Sequence, residues 1–140
     1  MNQEILLAED NPADVYLIRE ALKEHGIECP LHVVWDGREV LEYISEVDPD
    51  AHNLGLIILD LNLPRHGGIE VLQRLHETAG LAHVPVVVLT SSDSPRDRTV
   101  ANELGAACYL RKPSNLEQFL GLGDVFKKLL KSSNTAAEGR

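Results

Sequence analysis

The sequence predicts an α/β fold, a single parallel sheet with helices on both faces, and three observations carry that prediction. Five short apolar runs alternate strictly with five longer segments of helical character along the 140 residues. The runs, such as "LIIL" at 56–59 and "PVVVLT" at 85–90, lack a polar residue at every second place, which marks strands buried on both faces. Each run also stops at a turn or a helix-start signal. The alternation implies parallel strands, five units are too few for an eight-stranded barrel, and right-handed crossovers then leave a doubly wound sheet as the simplest answer.

The first run, "EILLAE" at 4–9, breaks at Asp10-Asn11-Pro12, where Asn11 can cap a helix and Pro12 suits its first position. Val15, Ile18 and Leu22 repeat at helical spacing, and Gly26 ends that helix. The second run, "LHVVW" at 31–35, stops at Asp36-Gly37; Asp36 and Glu39 form a capping box for a helix carrying Val40, Leu41, Ile44 and Val47. The polar "DPDAHN" is a loop. The third run leads through Asp60 and "PRHGG" to a helix with Ile69, Leu72 and Leu75 on one face. The fourth, Pro85 to Thr90, stops at "SSDSPRD", where Ser94, Pro95 and Asp97 supply a cap, a first-turn proline and an acid. The fifth, "ACYL", meets Arg111-Lys112-Pro113, and Ser114 with Glu117 caps one last helix through Leu130, weakened at Gly121 and Gly123. Residues 1–130 are expected to form one domain and 131–140 a polar, disordered tail.

With 44% apolar residues, the chain can bury a core without disulfides or structural metal. Its formal charge of −9 argues against a nucleic-acid partner, because phosphate contacts need clustered Lys and Arg. Cys29 and Cys108 have no ligand or redox spacing and read as reduced small hydrophobes. No run approaches membrane-spanning length and the first residues lack the character of a signal peptide, so the expected location is cytoplasmic.

An open doubly wound sheet binds its ligand at the carboxyl ends of its strands. Glu9 and Asp10 follow the first strand, Asp36 the second, Asp60 the third, Thr90 and Ser91 the fourth, and Lys112 the fifth. In the flavodoxin-like strand order 2-1-3-4-5 the first and third strands are neighbours, so Glu9, Asp10 and Asp60 converge. Three adjacent carboxylates raise one another's pKa unless a cation joins them, and oxygen ligands with room for water suit Mg²⁺. The Thr90 hydroxyl and the Lys112 ammonium suit the oxygens of a phosphoryl group, and a carboxylate such as Asp60 can be its covalent acceptor. A lone acid after a strand is more often a cap or turn residue. Five strand ends compatible with a single reaction reverse those odds.

The stretches "LLAEDN", "ILDLNLPRHGG", "VVLTSS" and "YLRKP" resemble the receiver domains of two-component response regulators over about residues 4–130. The resemblance implies phosphorylation of Asp60, with Mg²⁺ held by Asp60, by Asp10 directly, by Glu9 through water and by the backbone carbonyl of Asn62. It implies that Thr90 and Lys112 hold the phosphoryl group, that Tyr109 is a switch residue, and that the Lys112-Pro113 bond is cis. Gly67 and Ser114 depart from the family's usual acidic and apolar residues at those places. "EDNPADVYLIREAL" and "CYLRKPSNLEQF" are especially similar to stand-alone receivers that serve phytochrome-type histidine kinases. The implied role is a phosphoacceptor signalling protein that catalyses its own phosphotransfer and slow dephosphorylation. It would signal by repacking the face of the fourth helix, fifth strand and fifth helix.

Three rivals are weaker. A haloacid dehalogenase-type phosphatase needs a second acid where Asn62 stands, and a flavodoxin-like cofactor binder needs a phosphate loop where "AEDNPA" is acidic. A phosphorylation-independent receiver-like binding module remains the alternative. Val125, Phe126, Leu129 and Leu130 permit a homodimer, though a monomer explains the same residues. His66 is expected to be a solvated loop residue and Trp35 a packing residue.

Overall fold

The structure, a computed structural model, describes residues 3–48, 51–92 and 94–138, with side chains described through Leu130. Pro49 and Asp50 of the expected loop, Asp93 of "SSDSPRD", and Gly139 and Arg140 of the expected tail lie outside the described residues. Strands β1 (Glu4–Ala8), β2 (Leu31–Val34), β3 (Leu54–Leu59), β4 (Val86–Thr90) and β5 (Cys108–Arg111) form one sheet in the order β2-β1-β3-β4-β5. Every pairing is parallel, as the strand-and-helix alternation predicts. The helices are α1 (Pro12–Glu24), α2 (Gly37–Glu46), α3 (Gly68–Glu77), α4 (Pro95–Glu103), α5 (Leu116–Gly121) and α6 (Gly123–Glu138).

The unbroken apolar runs divide by strand alternation into two cores. Leu6, Ala8, Ile57, Leu59, Val86 and Val88 face one way and pack on Val40 and Ile44 of α2, Val71, Leu72 and Leu75 of α3, and Ala101 of α4. Ile5, Leu7, Leu56, Ile58, Val87 and Leu89 face the other way, against Val15, Ile18 and Leu22 of α1, Phe119 of α5, and Phe126 and Leu130 of α6. Burying one such side chain is worth about 1.5–3 kcal/mol, so both faces hold the sheet rigid under the site. Phe126 and Leu130 are covered within the chain and need no second copy to bury them.

Three of the expected caps form. Asn11 Oδ1 accepts from the Ala13 N–H at 2.9 Å, Asp36 Oδ1 from the Glu39 N–H at 2.8 Å, and Ser94 Oγ from the Asp97 N–H at 3.3 Å. Glu39 Oε1 reaches back to the Trp35 N–H at 3.0 Å, closing the capping box one residue before the cap itself.

Several expectations are corrected. The last helix is two helices, and the cap of α5 is Asn115, whose Oδ1 accepts from the Gln118 N–H at 2.9 Å, not Ser114. The break falls at Leu122, between Gly121 and Gly123, and a Cβ at Gly123 would strike His25 Nδ1 and lie 2.5 Å from the Ala21 carbonyl oxygen. Only glycine lets α6 begin this close to the end of α1. The α6 backbone runs on to Glu138, with no glycine or proline after Gly123 to interrupt it. The Lys112-Pro113 bond is trans, the lower-energy isomer for most X-Pro bonds, and the Lys112 side chain reaches its partners from it. Trp35 is 43% exposed, and its ring is a surface feature.

Candidate functional site

The backbone hydrogen-bonding ladders run one residue past the strands, and this places the site. Register pairs Ala8 with Leu59, so Glu9 and Asp60 emerge side by side; the Asp60 N–H donates to Ala8 O at 3.0 Å and the Glu9 N–H to Val34 O at 3.1 Å. Thr90 pairs with Arg111, and the Lys112 N–H donates to Thr90 O at 2.8 Å. Glu9, Asp60 and Thr90 are all buried, an arrangement that a polar group tolerates only with partners.

Strand alternation sorts these residues to two sides. Glu9, Asp60 and Lys112 continue the alternation that faces α1, and Lys112 Nζ lies 2.8 Å from each of Glu9 Oε1, Asp60 Oδ2 and Asp14 Oδ2. Thr90 and Tyr109 belong to the opposite face, toward α4. Tyr109 is buried, its hydroxyl donates to Ser92 O at 3.1 Å, and the Arg98 guanidinium lies 4.7 Å from its ring centroid. Asn62 joins the two sides: its N–H donates to Asp60 Oδ1 at 3.0 Å and its Nδ2 to Thr90 Oγ1 at 3.3 Å. Thr90 Oγ1 also accepts from the Ser92 N–H at 3.3 Å.

Carboxylate oxygens of Glu9, Asp10 and Asp60 lie within 4.8 Å of one another. An all-oxygen donor set with the Lys112 ammonium already bridging two of its members fits a hard divalent cation. Asp36, another strand-end acid, stands apart: it caps α2 and lies 3.6 Å from Arg65 Nε in an ion pair. His66 Nδ1 pairs with Glu70 at 2.8 Å on the surface. Asp14 is the residue that sequence reasoning missed. An acid in the first turn of a helix serves the helix dipole, and nothing local reveals a lysine 98 positions away.

The loop after Asp60 is seated by glycines. The Gly37 N–H donates to Pro64 O at 3.0 Å, and a Cβ on Gly37 would overlap the His66 backbone. At Gly68 a Cβ would strike Leu61 Cα and come within 2.8 Å of Asp60 O. Gly68→Ala is therefore expected to destabilise the fold by about 1–3 kcal/mol, measured by urea unfolding, because backbone must give way.

A family model for the response regulator receiver domain matches residues 5–122. The chain belongs to that family. Response regulator Rcp1 of Synechocystis sp. is 38% identical over 125 residues, 88% of this chain and 81% of that protein. Transcriptional regulatory protein TrcR of Mycobacterium tuberculosis is 34% identical over 116 residues, and the match spans only 42% of its length. Among solved structures, the phosphorylated cyanobacterial phytochrome response regulator RcpA superposes with a TM-score of 0.84 at 34% identity, covering 95% of this chain and 96% of that one. The Mn²⁺-bound form of response regulator Rcp1 gives 0.80 at 35%, covering 89% and 91%. Among the described residues no helix of this receiver domain is long and apolar enough to cross a membrane.

The electrostatics of the receiver site follow from one ammonium shared by several acids. Burial pushes the Glu9 carboxyl from 4.5 up to about 7, with the Asp60 charge adding to the rise and the Lys112 hydrogen bond opposing it. Burial works to lower the Lys112 pKa, but its hydrogen bonds to Asp14, Asp60 and Glu9 outweigh that and hold it above the ordinary value. Between 4.5 and about 7 the folded chain therefore holds a proton on Glu9 that the unfolded chain releases. This group's stabilising share is full below 4.5 and is lost as pH rises through about 7. A divalent ion must displace that proton. Mg²⁺ affinity, measured by calorimetry from about pH 5 to about pH 8, is expected to rise with pH and level off once Glu9 is ionised.

Proposed function

We propose that this chain accepts a phosphoryl group on Asp60 from the phosphohistidine of a sensor histidine kinase. The bond from phosphorus to the histidine nitrogen breaks as a bond to an Asp60 carboxylate oxygen forms, and the imidazole leaves. The observation that carries this reading is the Lys112 ammonium at 2.8 Å from Asp60 Oδ2, with the Glu9–Asp10 acids beside it and the Thr90 hydroxyl linked through Asn62. Glu9, Asp10, Asp60 and the Asn62 carbonyl would hold Mg²⁺, which when bound would neutralise charge gathering on the phosphoryl oxygens. Lys112 keeps its proton and donates to those oxygens. Thr90 would exchange its Asn62 and Ser92 partners for the phosphoryl group, and Tyr109 would transmit the change to the face of α4, β5 and α5. Hydrolysis of the acyl phosphate would return the site to rest.

The likeness to a phytochrome response regulator supports a phytochrome-type kinase as partner and a cytoplasmic location. The test is incubation with acetyl phosphate and Mg²⁺ followed by intact mass, in which one added phosphoryl group is expected. One observation favours a second reading. Tyr109 is buried and its hydroxyl donates to Ser92 O, the kind of ordered packing that a docking face needs. A chain that takes up no phosphoryl group from either acetyl phosphate or a kinase would be a phosphorylation-independent binding module.

A further inference from the structure

The Lys112 ammonium has three N–H donors, and three carboxylates take them. Two of those acceptors, Glu9 and Asp60, belong to the acidic trio that suits a divalent ion, whereas Asp14 does not. Asp14 sits in the first turn of α1, behind the Asn11 cap and ahead of the buried Val15 and Ile18, so its position is fixed by the helix. The Lys112 and Asp14 side chains are 11% and 18% exposed, which keeps their pairing largely out of competition with water.

A cation entering the trio draws on two carboxylates that Lys112 also uses, Glu9 and Asp60. Asp14 alone keeps its contact free of that competition. We propose that Asp14 is a positioning residue that anchors the Lys112 ammonium when Glu9 and Asp60 turn to a divalent ion, leaving the remaining N–H groups directed at an incoming phosphoryl group. The inference deepens the proposed function and rests on it for the phosphoryl step. The anchoring itself needs only a divalent ion.

Two readouts test it. In the nitrogen–proton spectrum of lysine ammonium groups with saturating Mg²⁺, the Lys112 signal, assigned by its loss in Lys112→Ala, is expected to persist in the native chain. It is expected to vanish in Asp14→Ala through exchange with water, and to be partly retained in Asp14→Asn, which keeps an acceptor. Phosphoryl uptake from acetyl phosphate at saturating Mg²⁺ is expected to slow about tenfold in Asp14→Ala, the usual effect of losing an orienting partner. In a Lys112→Ala background the same substitution is expected to change the rate no further. A helix-dipole role alone would lower thermal stability and move neither readout. An unchanged Lys112 signal in Asp14→Ala, or an equal slowing in the Lys112→Ala background, overturns the inference. A native chain that takes up no phosphoryl group defeats the proposed function instead, and the ammonium signal still decides the anchoring.

Discussion

Asp60→Asn is expected to take up no phosphoryl group from acetyl phosphate and Mg²⁺, yet to unfold no more easily than the native chain when divalent ions are absent. The amide is nearly isosteric and can still accept from the Asn62 N–H, but it is not a nucleophile at phosphorus. Glu9, Asp14 and Asp60 crowd around the single ammonium of Lys112, with Asp10 beside Glu9 and Asp60, so removing one negative charge relieves repulsion. Lys112 loses one of its three acceptors in exchange, and the balance is expected to lie between zero and a gain on the order of 1 kcal/mol. Intact mass and urea unfolding read the two halves separately. Added Mg²⁺ should stabilise the native chain more than the variant, because stabilisation by a ligand follows its affinity for the folded state. A variant that still gains a phosphoryl group would move the acceptor away from Asp60.

Lys112→Ala is expected to do the reverse, destabilising the chain without divalent ions by about 3 kcal/mol, the cost of stripping a buried ion cluster of its partner. The cost stays near the low end because Glu9 can take up a proton; burial already holds its pKa near 7. Mg²⁺ is expected to bind more tightly to this variant, since the competing ammonium is gone, and to restore much of the lost stability. Phosphoryl uptake should nevertheless fall about a hundredfold, the usual effect of removing one donor to developing negative charge. Tight metal binding with slow uptake is the signature to look for in a calorimetric titration paired with time-resolved mass.

The acidic trio, the hydroxyl and the lysine were legible because each ends an apolar run, and parallel strands bring such ends to one edge. Asp36 ends a run in the same way yet caps α2 instead, so position at a strand end did not by itself select the site. Asp14 was illegible for a different reason. It lies one helical turn beyond the motif, and its value depends on α1 packing over the strand end from which Lys112 emerges. The break between α5 and α6 was half legible, since Gly121 and Gly123 announced weakness in a helix. That Gly123 is a point of close approach to His25 and Ala21 on α1 depends on packing.

The order of elements, the strand edge proposed to carry the chemistry and the residues that stand there all follow from local pattern: apolar runs, caps and what stands after each run. Which of those residues touch does not. Alternation along each strand sends Glu9, Asp60 and Lys112 toward α1, and Thr90 with Tyr109 toward α4. In fully apolar runs the polar–apolar pattern that would reveal this division is absent, because both faces are buried and both demand the same kind of side chain. Only packing against two different helix layers separates the side that would handle the phosphoryl group from the side that would respond to it.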